Sequence, residues 1–261
     1  MFVVNIIIKR QKMLEILQYD FIQNALIAGV LISIAAGIIG SLVVVNKITF
    51  LTGGIAHSSY GGIGLAIYMG IPVLFGATVF AVLTAILIAI ITLKNRTRID
   101  AIIGMMWASG MAIGIIFVDL TPGYNVDLMS YLFGSIIAVS REDLIYMSVL
   151  DIFIISIVVF FYKQILAVSY DSEFASLRGI NVKFFYTLIL ILAALCVVAA
   201  IKAVGLILVI ALLTIPTYLA ESFASKLSSM MIISSVLATI FSVLGLVVSY
   251  IYDISSGASI I

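Results

Sequence analysis

Few side chains in this 261-residue sequence are equipped for chemistry, and the one that stands out is its only histidine. His57 lies within Thr52-Gly-Gly-Ile-Ala-His-Ser-Ser-Tyr-Gly-Gly-Ile-Gly-Leu-Ala-Ile-Tyr-Met-Gly70, an apolar, glycine-rich stretch long enough to cross a bilayer. An imidazole at membrane depth can ligate a metal or carry a proton, and ionisable groups held there at such cost mark pathways more often than packing. The packing alternative is a buried ring hydrogen-bonded to a backbone carbonyl, to Ser58 or Ser59, or to a neighbouring helix. Asp151 is the second candidate, well inside another apolar run, where a lone ionised carboxylate is untenable unless it is protonated, paired or open to water. Cys196 has no CxxC partner and reads as a small packed residue. Met105, Met106 and Met111 read as adaptable filler in a membrane helix rather than soft ligands.

The elements that must hold these groups follow from composition. With 64% hydrophobic and 10% charged residues and a mean hydropathy of +1.36, the chain lies far from a soluble domain, in which about a quarter of residues are charged. The expectation is an all-α, polytopic membrane protein forming one permease domain over residues 1–261, preceded by a lead-in over 1–20. At roughly 20 apolar residues per crossing, about eight spans fit: Phe21–Val45, Ile48–Gly70, Pro72–Leu93, Ala101–Val118, Asp143–Tyr162, Val182–Ile201, Gly205–Ala220 and Met230–Ile251. The piece Leu128–Val139 is too short to cross and reads as an interfacial half-helix. A net charge of +1, with basic residues scattered over loops, offers no surface for nucleic acid. The apolar start before Lys9, Arg10 and Lys12 has the wrong order for a signal peptide, so no cleaved targeting segment is expected.

Cytosolic loops collect Lys and Arg. Lys94, Arg96 and Arg98, and the loop 163–182 with Arg178, are therefore predicted to be cytosolic, with Lys47 and Lys226 on the same side and Asp119, Asp127 and Asp253 on the other. Lys9, Arg10 and Lys12 run against this parity; the loops, which agree with one another, take precedence and place both ends outside the cytosol. Within the cytosolic loop, Ser169-Tyr-Asp-Ser-Glu-Phe-Ala-Ser-Leu-Arg-Gly-Ile-Asn181 predicts a short amphipathic surface helix with Gly179 at its C-terminus. It serves either as a docking element or as a solvated connector.

Several segments, in order, resemble the membrane subunits of ATP-binding-cassette importers for zinc and manganese, the ABC-3 permeases. Thr52–Gly62 is similar to that family's glycine-aspartate-x-x-x-histidine segment, and Ile103-Gly104 through Ala112-Ile113-Gly114 to its fourth-span pattern. Asn125–Gly134 continuing through Ala138–Leu144, Tyr170-Asp171 with Glu173, Ala175 and Gly179, Gly205 with Pro216 and Ala220, and Ser256-Gly257-Ala258 complete the likeness from about Met13 to Ile260. The resemblance implies a type II-like importer fold in a prokaryotic inner membrane. It also implies a homodimer of this chain, two cytosolic ABC ATPase subunits and an extracytosolic metal-binding protein. It makes Asp171, Glu173, Ala175 and Gly179 the ATPase contact, His57 a residue of the metal path, and zinc or manganese the transported ion, with no permanently bound cofactor. The chain has no GxxxxGK[ST] phosphate loop, so hydrolysis is expected in a separate subunit.

The departure is at Gly53, where the family commonly carries aspartate four residues before the histidine, on the same helix face. Hard oxygen donors suit manganese and imidazole suits zinc, so the loss favours zinc; Asp151 is a possible substitute acid. Gly53, Gly54 and Gly61 are expected to permit close helix packing or bending beside a gate, and Pro216 to kink the seventh span as a fixed bend or a hinge. Competing functions are a secondary metal or proton transporter, which should show inverted repeats that are not visible here, and a siderophore or cobalamin ABC permease. A membrane-embedded enzyme lacks HExxH or any second histidine.

Overall fold

A bilayer requires each crossing segment to close its own backbone hydrogen bonds, and the apolar runs do so as helices. The computed structural model describes residues 19–94, 99–122, 132–206, 208–252 and 254–261, and no strand occurs among them. The helices are α1 (Asp20–Val45), α2 (Thr49–Met69), α3 (Val73–Lys94), α4 (Ile99–Asp119), α5 (Arg141–Phe160), α6 (Tyr162–Tyr170), α7 (Ser172–Leu177), α8 (Val182–Val204), α9 (Val209–Glu221), α10 (Leu227–Tyr252) and α11 (Ser256–Ile260). The positions 1–18, Arg96, Arg98, Asn125–Leu128 and Asp253 that entered the sequence reading lie outside the described residues.

Six helices, α1, α3, α4, α5, α8 and α10, are long and apolar enough to cross a membrane. The other two expected spans differ for separate reasons. The 21 residues of α2 reach about 31 Å at 1.5 Å per residue, but glycine and serine dilute their hydropathy. The 13 residues of α9 cover only about 20 Å, because the chain breaks at Gly205, whose φ of 91° and ψ of 159° suit glycine. The expected break near Lys202 therefore falls three residues later, and α8 runs unbroken through it. Of the expected half-helix at 128–139, the described part, from 132, holds a 3₁₀ turn at Ile136–Ala138.

The centre is built from α1, α2 and α8: α8 is buried almost continuously from Ile189 to Val204, and α2 from Leu51 to Gly64. Around them α3, α4, α5 and α10 keep one apolar face outward, as lipid requires. At one end of the bundle Arg141 pairs with Asp20 at 3.2 Å, and Lys202 pairs with Asp143. Asp143 also closes a capping box with Ser140 at the start of α5. There Ser135 N donates to the Lys202 carbonyl (3.0 Å) and Ile136 N to Ser256 Oγ (3.3 Å), tying α8, the 3₁₀ turn and α11 together. At the other end Asn46 Nδ2 donates to Ser169 Oγ at 2.9 Å, and Glu221 borders a cavity shared with Lys47 and Ser169. Short as it is, α9 thus returns the chain from one end to the other. The start of α1 and the C-terminal α11 share an end, as the charge parity expects.

Candidate functional site

Glycine determines how α2 is held. A Cβ at Gly64 would stand 2.2 Å from the Gly114 carbonyl oxygen, one at Gly61 2.9 Å from that of Gly110, and one at Gly110 2.5 Å from the Ser58 Cα. Positions on both helices advance together, so α2 and α4 run parallel with backbones nearly touching, the packing that small residues allow in lipid. Gly54 has a different neighbour, Ile103 Cγ2, at 2.7 Å from its Cβ position.

This packing carries His57 into the interior. The residue is 6% exposed, and its ring stacks on Trp107 of α4, with centroids 3.7 Å apart and planes 10° from parallel. Nδ1 is buried and has no hydrogen-bond partner among the described residues. The adjacent serines serve other groups: Ser58 Oγ donates to the Met106 carbonyl (2.8 Å) and Ser59 Oγ to that of Ala56 (2.6 Å). One turn earlier, Ile210 of α9 fills the space beside Gly53, its Cδ1 lying 2.7 Å from where a Cβ would be. The place of the missing carboxylate is therefore occupied by a methyl group.

Asp151 is buried at 3% exposure, and neither carboxyl oxygen has a partner among the described residues. It belongs to α5, which packs on α1 and α8, whereas α2 packs mainly on α4, α3 and α8. His57 and Asp151 form no ion pair or hydrogen bond with each other, and the described residues hold no group of three His, Cys, Asp or Glu able to share a metal. Pro216 is buried inside α9, close to where Gly40 of α1 meets the Leu213 carbonyl, 2.2 Å from its Cβ position.

The polar loop forms two helices rather than one. After a break at Phe161, α6 prolongs α5, and Asp171 then caps α7 by accepting from Phe174 N at 2.8 Å. Ala175 is fully buried and anchors the helix, while Gly179 at φ 77° turns the chain away. Outward stand Glu173, Phe174 beneath the Arg178 guanidinium (5.0 Å), and Leu177 at 88% exposure. Beside α7 a cavity of about 360 Å³ is bordered by Ser172, Asn46, Leu51, Thr92 and Ile103. It lies below the His57 level, against the first turns of α2 and α4.

Sequence reasoning missed three partners: Trp107 on His57, Ile210 on Gly53, and Lys202 on Asp143. None had a local signal, since all three depend on which helices become neighbours; the Ser140-x-x-Asp143 capping box marks the start of α5 but not the lysine it meets.

The chain is similar to known proteins over nearly its whole length. Residues 18–261 match the ABC 3 transport family. An uncharacterized membrane protein of Synechocystis is 45% identical over 251 residues, 96% of this chain and 89% of that protein. A manganese transport system membrane protein of Listeria monocytogenes is 33% identical over 246 residues, 94% of this chain and 88% of its own length. The structure of PsaBC from Streptococcus pneumoniae superposes with a TM-score of 0.87 at 32% identity, covering 96% of this chain and 90% of that one. Matched over nearly its whole length, this multi-pass membrane chain belongs to the ABC 3 transport family.

Proposed function

We propose that the chain is the membrane-spanning subunit of an ABC importer for divalent metal ions. It works as a homodimer with two cytosolic ATPase subunits and an extracytosolic metal-binding protein. The observation that carries this reading is His57: a buried imidazole at membrane depth, in a chain of this family. Zinc is the favoured ion, because the position of the family's hard donor is a glycine backed by Ile210 and imidazole alone suits zinc better than manganese. Manganese is the competing reading, supported by what the Listeria relative is named for.

Residues 51–64 of α2 are buried within their own chain. The face that suits a second copy is the outer side of α4, where Gly104, Ala108 and Ala112 recur at one-turn spacing, all exposed. An ion entering at that seam meets the His57–Trp107 pair from behind α4 and leaves through the cavity beside α7. Weak holding by one imidazole per subunit suits conduction, since an ion bound too well does not leave. ATP-driven movement of α7 acts directly on that cavity, because Ser172 belongs to both.

The test is hydrolysis by the chain assembled with its ATPase subunits in lipid. Zinc is expected to stimulate it only when the metal-binding protein is present. Stimulation by a metal chelate but by neither free ion would overturn the reading in favour of a siderophore or cobalamin permease.

A further inference from the structure

A metal-binding histidine is normally aimed by its second ring nitrogen, which donates to a carboxylate, a carbonyl or water and so fixes the plane of the ring. His57 departs from that rule: Nδ1 is buried with no partner among the described residues, and the hydroxyls of Ser58 and Ser59 are directed at the carbonyls of Met106 and Ala56. What holds the ring is a face. The indole of Trp107 lies 3.7 Å away and within 10° of parallel, close enough that the imidazole cannot rotate about its side-chain bonds without leaving the stack.

We infer that Trp107 is the positioning residue for the imidazole on the metal path, fixing by stacking what a hydrogen bond fixes elsewhere. The inference rests on the reading of His57 as a path residue. The helix that carries the indole is itself firmly seated, because α4 meets α2 through Gly110 against Ser58 and Gly114 against Tyr60, contacts in which backbone touches backbone. The stack also bears on charge. An imidazole that shares the charge of a bound cation is drawn to an indole face more strongly than a neutral ring, so the contact favours the loaded state over the empty one. Trp107 is therefore expected to affect how well the ion is held more than how fast the motor runs.

Trp107 is the only tryptophan of the chain, so its emission reports on this one contact. In the full chain in lipid nanodiscs, zinc is expected to shift or quench the emission of the wild-type protein and to leave that of His57→Ala unchanged. In proteoliposomes of the complete transporter, Trp107→Leu is expected to raise the KM for zinc about fivefold, mid-range for an aromatic pair, with the maximal rate within about twofold. Trp107→Phe keeps an aromatic face and is expected to restore most of the KM. Trp107→Leu added to His57→Ala should cost nothing further, since the two act through one ring. A wild-type KM in Trp107→Leu, a loss that Trp107→Phe does not rescue, or zinc-insensitive emission while His57→Ala abolishes uptake would each overturn the positioning role alone. Normal uptake by His57→Ala would instead remove the path reading beneath it. Should Trp107→Leu fail to fold, the wild-type emission and the Trp107→Phe kinetics still decide the matter.

Discussion

Restoring the absent acid is the most informative single change. Gly53 precedes His57 by four residues on one face of α2, about 6 Å along the axis at 1.5 Å per residue. In Gly53→Asp the new Cβ meets Ile210 Cδ1 at 2.7 Å and Cγ1 at 3.5 Å. Comfortable carbon contacts begin near ~3.5 Å, so the tip of Ile210 must retreat by just under ~1 Å. That tip is the free end of a half-buried side chain, and moving it off its preferred rotamer costs about 0.5–1.5 kcal/mol. Replacing glycine in a helix interior returns roughly a few tenths of a kcal/mol. The fold should survive, and Ile210→Ala beside it removes the clash altogether. A carboxylate this deep is unfavourable alone, by about 2.5–3.5 kcal/mol at a bilayer centre on insertion scales, and favourable with a cation beside it. Supporting groups one shell out already change metal affinity by about 10- to 100-fold, so a directly facing hard donor should raise the manganese-to-zinc uptake ratio by at least about tenfold. Competition between radiolabelled manganese and zinc in proteoliposomes measures it. A variant that assembles with its ATPase yet keeps the original ratio would refute the placement of the ion path beside Gly53 and His57.

Other contacts make equally direct demands. Glu173→Lys reverses a charge on the exposed face of α7 and is expected to weaken co-purification of the ATPase; a complex that survives unaltered would put the contact elsewhere. Gly64→Ala drives a methyl to 2.2 Å from the Gly114 carbonyl oxygen, where only backbone could yield, and should cost about 1–3 kcal/mol. Gly29→Ala, whose methyl would make only ordinary contacts at 3.5 Å, should leave the thermal melt of the purified chain nearly unchanged, and equal melts for the two variants would contradict the packing. Lys202→Met strips the partner from Asp143, whose side chain is only 10% exposed, and should destabilise the chain by about 1–3 kcal/mol. Adding Asp143→Asn should recover part of that loss, and strict additivity of the two would show the pair to be uncoupled.

The parts of this molecule legible in its sequence are those decided locally. Apolar runs place α1, α3, α4, α5, α8 and α10, since a span is set by length and hydropathy. Gly179 closes the polar surface helix as the positive-φ turn its residue type suggests. Contacts between helices are a different matter. Nothing in the order of residues says that Trp107 lies over His57 or that Ile210 takes the room beside Gly53, because those meetings depend on the glycine contacts of α2 with α4 and on the chain break at Gly205. For the same reason Asp151, equally prominent in the sequence, lies on a helix packed against α1 and α8 and forms no pair with His57.

The central claim is that divalent metal crosses the membrane past His57. ATP-driven uptake of zinc by the complete transporter carrying His57→Ala, at matched assembly and with the ATPase still bound, tests it most directly. Uptake should fall at least about tenfold while nucleotide hydrolysis by the assembled ATPase persists, a loss of roughly 1.4 kcal/mol or more in transition-state terms. Uptake equal to the wild type would contradict the account and return His57 to the packing of α2.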